Sequence, residues 1–159
     1  MENVVLSIAI KWIHLIATVA WIGGMFTNFF VYLPALGKVL DPPTMGKLMG
    51  IVMKRFKMMV YISIVIFIIT GILMGFVFGG SNDISSGDSW GIILFAKIAV
   101  FFIMIVLAVY AFEVLAPKVA GIAAEGPSPK LVRLQKVQMS LAMTGFILGI
   151  IILALSASF

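Results

Sequence analysis

An all-α fold, a polytopic bundle of four membrane-crossing helices with both termini outside, is predicted by three features of this 159-residue chain. Its residues are 63% hydrophobic and only 11% charged, and the charges cluster between long apolar runs. A soluble domain carries about a quarter charged residues, so no water-soluble fold of this size hides such a composition. Helices are required because backbone facing lipid must satisfy its own hydrogen bonds, and the alternation of a membrane barrel is absent from the sequence.

Four stretches meet the length of about 20 residues that crosses a hydrocarbon layer of roughly 30 Å. The first runs over about 4–33, carries Lys11 and is then uncharged from Trp12 to Gly37, with Pro34 ending or kinking it. The second, about 50–78, follows the basic cluster Lys54, Arg55, Lys57 and is uncharged from Met58 to Asn82. The third, about 90–115, contains Lys97 and ends near Glu113 and Pro117. The fourth, about 131–157, starts amphipathically near Lys130 and is uncharged from Val137 to Phe159. Between them stand breakers: Asp41-Pro42-Pro43, then Gly79-Gly80-Ser81-Asn82-Asp83, then Gly126-Pro127-Ser128-Pro129. The connections leave no room for a second domain, so residues 1–159 read as one transmembrane domain. The first span lacks a basic leader and an Ala-x-Ala site, so it reads as a span rather than a signal peptide.

Of eleven Lys and Arg residues, Lys38, Lys47, Lys54, Arg55 and Lys57 lie between the first two spans, and Lys118, Lys130, Arg133 and Lys136 between the last two. The middle loop carries only Asp83 and Asp88. The positive-inside rule puts both basic loops in the cytoplasm of a prokaryotic inner membrane, and the acidic loop and the termini outside. The net charge of +5 is thereby explained by topology and the lipid bilayer, not by nucleic acid.

Topology leaves Lys11 and Lys97 unexplained, and ionisable groups at membrane depth are functional candidates. His14, the single histidine, lies about 15 Å along the first helix and Lys97 about 10 Å along the third, both counted from the outer face at 1.5 Å per residue. Lys11, His14, Thr18 and Trp21 form one helical stripe, which Met25 and Asn28 extend. Lys11 is read as snorkelling to the outer headgroups. His14 and Lys97 are read as sharing a partner. With no cysteine in the chain, thiolate metal sites and disulfides are excluded. Haem b suits an imidazole in a helical bundle, with Lys97 as second ligand or propionate partner. Copper is the alternative, because imidazole with soft thioethers such as Met25 suits Cu(I). Most of the eleven methionines read as packing. Gly71 and Gly75, with Gly79, and Gly145 with Gly149, offer small faces for close helix contact, and Gly23-Gly24 does the same or leaves room for a flat cofactor. Glu113 reads as a solvated charge near the cytoplasmic surface.

The run from His14 through Trp21, Gly23, Gly24 and Phe26, followed by Leu33-Pro34-Ala35-Leu36, resembles the first-helix signature of the copper-resistance protein D-like membrane proteins. The related HemJ-type protoporphyrinogen oxidases share the histidine, the tryptophan seven residues later and the small residues. In them a lysine of the third helix joins the histidine in haem binding, and the segment Trp90 to Lys97 is similar to that lysine's setting. Their arginine after the tryptophan, their late third-helix histidine and their Asn-Glu pair have no counterpart in Trp21–Tyr32, Tyr110–Phe112 or Gln135–Met139. The resemblance therefore implies a haem-binding bundle more directly than porphyrinogen oxidation. The expected function is that of a membrane b-type haem protein in electron transfer, or in oxidation of a porphyrinogen or quinol-like substrate. Its expected setting is a homodimer or a membrane redox complex. Copper export or resistance is the first alternative, and a non-catalytic subunit of a larger complex the second.

Overall fold

A computed structural model describes residues 2–78 and 89–157. Gly79, Asp83 and Asp88, on which part of the loop and topology reading rests, lie outside the described residues. The ordered segments are α1 (Glu2–Thr18), α2 (Gly24–Thr27), α3 (Leu33–Val39), α4 (Pro42–Phe78), α5 (Ser89–Val109), α6 (Ala116–Ala124) and α7 (Pro129–Ser156). Wider π-helical turns join α1 to α2 (Val19–Gly23), α2 to α3 (Asn28–Tyr32) and α5 to α6 (Tyr110–Leu115). Four continuous helical stretches are long and apolar enough to cross a membrane: Val4–Val39, Pro42–Gly75, Gly91–Ala124 and Pro129–Ser156. Helix α4 has 37 residues, which is about 55 Å. Its uncharged part from Met58 is by itself long enough to cross the hydrocarbon layer, and Lys47, Lys54, Arg55 and Lys57 lie on the part before it.

Proline explains two of the π turns. The ring of Pro34 lacks an N–H for the carbonyl of Phe30 and crowds it, and Pro117 does the same to Glu113. The helix widens ahead of each instead of ending, so the first span continues through Pro34 to Val39. Threonine marks the first two π turns as well. The Thr18 hydroxyl donates to the His14 carbonyl and the Thr27 hydroxyl to the Gly23 carbonyl, each at 2.9 Å, immediately before the helix widens.

The chain divides into two compact units, Met1–Ile84 and Ser85–Phe159. In the first, α1 and its extension pair with α4 across a turn that Asp41 caps: its carboxylate accepts from the Thr44 N–H at 3.1 Å. Ile10, Ala17, Trp21 and Met25 are buried on one helix and Val60, Ser63, Ile64 and Thr70 on the other. In the second unit, α5–α6 pairs with α7, burying Met104, Leu115, Phe146 and Gly149. The turn between them uses Gly126 at φ 109°, a conformation that favours glycine just past a helix end, and the Ser128 hydroxyl caps α7 by accepting from the Leu131 N–H at 3.2 Å. Gly71, Gly75 and Gly145 differ from the sequence expectation within their own units: among the described residues, a Cβ at each would meet nothing within 4 Å.

Candidate metal-binding site

The polar stripe on the first helix turns towards α4 at His14, Trp21 and Met25. Trp21 and Met25 are buried, at 3% and 6% exposure, and His14 and Asn28 are half-buried. Lys11 is exposed, the placement expected of a side chain that reaches for headgroups. Lys97 lies half-buried on α5, in the other unit.

The imidazole of His14 is held by α4. Its Nδ1 stands 2.7 Å from the hydroxyl of Thr70, a buried residue 56 positions away in sequence. The same hydroxyl donates to the Ile66 carbonyl at 2.6 Å. A hydroxyl has one proton; with that proton on the Ile66 carbonyl, Thr70 accepts from the Nδ1–H tautomer of His14, whose lone pair stands on Nε2. This is the arrangement that orients a metal-ligating imidazole and raises its basicity. Phe67, one turn before Thr70, packs edge-on against the imidazole, with centroids 4.8 Å apart and planes at 63°. It also touches Trp21 at 6.0 Å. The ring of His14 is thus fixed by a hydrogen bond on one atom and an aromatic edge on its plane.

Thr70 and Phe67 have a sequence signature only in part. Ser63 and Thr70 are hydroxyl residues seven apart in an otherwise apolar run, which puts them on one face. Which face meets His14 is set by packing. Met25 stands eleven residues beyond His14 on a continuous helix, a rise of about 16 Å. That span exceeds any metal–ligand pair, so His14 and Met25 do not hold one ion together. Among the described residues, no three His, Asp or Glu side chains gather as a metal cluster. An imidazole with an oriented Nε2 and aromatic neighbours suits a group that brings most of its own ligands, which describes haem, or a metal that passes transiently.

Three comparisons bear on identity. Curated proteins and solved structures provide no match to the chain. The copper resistance protein D family matches residues 50–159. The matched stretch starts inside α4, includes Phe67, Thr70 and Lys97, and covers more than two thirds of the chain, while His14 lies before it. The chain, a membrane protein with four helices long and apolar enough to span the bilayer, belongs to the copper resistance protein D family.

Proposed function

We propose that the protein is a prokaryotic inner-membrane redox protein that holds b-type haem through Nε2 of His14. The observation that carries this reading is the 2.7 Å contact of His14 Nδ1 with the Thr70 hydroxyl, which in the Nδ1–H tautomer leaves the lone pair on Nε2, the nitrogen that ligates. The likeness of the His14–Trp21–Gly23-Gly24 run to the HemJ-type signature supports haem. So does the aromatic packing of Phe67 against the imidazole and Trp21, which suits a flat macrocycle better than an ion needing three or four protein ligands. Bound haem would supply one-electron chemistry. The chain's own residues fix the imidazole, shield it from water and set its ligand strength through Thr70.

The absorption spectrum of protein purified after growth with ample haem tests this. A Soret band that His14→Ala abolishes is expected. A colourless wild-type protein sinks the reading. Family membership favours a second reading, copper handling, with His14 and thioethers such as Met25 as successive and not joint ligands. Stoichiometric copper in the purified protein, together with copper sensitivity of a deletion strain, selects it over haem. Unchanged function in His14→Ala points instead to a non-catalytic subunit.

A further inference from the structure

Beyond His14 towards the charged end of the same helix pair, a cleft of about 340 Å³ opens between the first helix and α4. It begins at Gly24, about 15 Å along the helix from His14. Its lining extends from Gly24 to Tyr32 on the first helix, a rise of about 12 Å, and from Val52 to Met59 on α4, a rise of about 10 Å. The α4 wall is made of Val52, Met53, Phe56 and Met59, all apolar. Gly24 closes the deep end. A Cβ there would stand 2.8 Å from the Met59 Cε and 2.8 Å from the Phe56 Cε2, so the two helices meet as closely as glycine permits. The result is an elongated apolar slot that lies along the helix axes.

Charge marks the other end. Arg55 is also part of the lining, three residues after Val52 and four before Met59 on one stripe of α4, and it is exposed, as is Lys54 beside it. Lys57 lies over the ring of Tyr61, 5.8 Å from its centroid. From Asn3 to Asn82 the sole carboxylate is Asp41, fourteen residues before Arg55 and therefore about 21 Å away along α4. Arg55 and Lys54 thus have no carboxylate of this helix pair beside them, and they stand just before the uncharged stretch that opens at Met58. An apolar slot ending in positive charge at the edge of an uncharged span has the polarity of an anionic phospholipid. We propose that the cleft binds such a lipid, with one acyl chain in the slot and the phosphate on Arg55 and Lys54. The guanidinium fork matches phosphate oxygens, and basic pockets between helices select anionic headgroups. A bilayer offers acyl chains everywhere, so the slot fixes the place and the charge sets the preference: a choline headgroup would bring a further cation into the basic cluster. An acidic protein segment would satisfy the charge and leave the slot unfilled. This site is separate from the one at His14 and does not depend on what His14 holds.

The test uses the full chain, freed of lipid in a non-ionic detergent and titrated with phosphatidylglycerol or phosphatidylcholine of the same acyl chains, while native mass spectrometry counts the lipid retained. Phosphatidylglycerol is expected to bind about tenfold tighter than phosphatidylcholine. Arg55→Gln removes a charge from an exposed position and abolishes that preference. Lys130→Gln removes the same charge from an exposed position in the other basic loop and keeps it. Val52→Phe fills the slot without touching the charge and weakens both lipids, which decides the matter even where Arg55→Gln fails to match the thermal midpoint of the lipid-free wild type. Equal affinity for the two lipids overturns the proposal. So does an equal loss of preference in Arg55→Gln and Lys130→Gln, which marks diffuse attraction to the basic loops, and so does unchanged binding in Val52→Phe, which puts the lipid elsewhere. His14→Ala protein is expected to keep the preference for phosphatidylglycerol, which separates this result from the fate of the haem reading.

Discussion

Thr70 holds His14 through a single hydrogen bond. In Thr70→Val Nδ1 loses this partner while the side-chain volume is nearly kept, so the ring is free to change tautomer and rotate. Group affinity at His14 is expected to fall about 10–100-fold, with Thr70→Ser restoring most of it. Titration of the purified variants with hemin, or with Cu(I) if the protein carries copper, reads the effect. Lys97→Ala is informative in the same spectra on its own: a shifted band marks Lys97 as part of the ligand field, and an unchanged band returns it to packing. Glycine gives a second contrast at this scale. Gly24→Ala drives a methyl into Phe56 and Met59, and overpacking of this kind costs about 1–3 kcal/mol. Gly71→Ala meets nothing and is expected to gain up to about 1 kcal/mol from helix propensity. Denaturant unfolding in detergent orders the two. Should Gly71→Ala instead abolish function with stability intact, the small-residue face serves a partner.

At the scale of the element, helix ends carry the predictions. Asp41 caps the start of α4, and the Thr44 hydroxyl, then the Thr44 N–H, hold its carboxyl below the ordinary value of 3.8. A carboxyl whose folded value is lowered contributes stability that is complete above the unfolded value. The contribution is lost as pH falls through the folded value. Melting profiles are therefore expected to lose this contribution only below pH 3.8, and Asp41→Asn, which keeps an acceptor but cannot titrate, to flatten that part of the profile. Ser128→Ala removes the cap of α7 and is expected to cost about 1 kcal/mol in the same assay, at every pH. The π turns show what sequence reading at this scale leaves open. Pro34 is visible as an end or a kink. That the helix widens and continues to Val39 instead, with the Thr27 hydroxyl on the Gly23 carbonyl just before the widened turn, is seen only in the fold.

On the scale of the whole chain, the distribution of charge sets its placement. Nine basic residues in two loops predict that both loops are cytoplasmic and the termini outside. The chain has no native cysteine, so single replacements report without background. Thr44→Cys is expected to resist a membrane-impermeant maleimide in intact cells, and Ser156→Cys to react. The reverse pattern inverts the topology and moves His14 to the inner half of the bilayer. Large apolar side chains such as Phe95, at 74% exposure, and Trp12, at 60%, face outwards. This is expected in lipid, where apolar burial between helices adds little and small and polar contacts do more of the packing.

Membrane insertion and the presence of four spans were legible from composition and order alone, because transfer into hydrocarbon sums over some twenty neighbouring residues and needs no partner. The stripe of His14, Trp21 and Met25 was legible too, since helical periodicity is local. Only the tertiary structure decided that Thr70 holds the imidazole by its Nδ1 and that Phe67 braces the rings of both His14 and Trp21. Each depends on how two helices, joined through a distant turn, are rotated against one another. That rotation is a property of their packing, which residues far apart in the chain determine together.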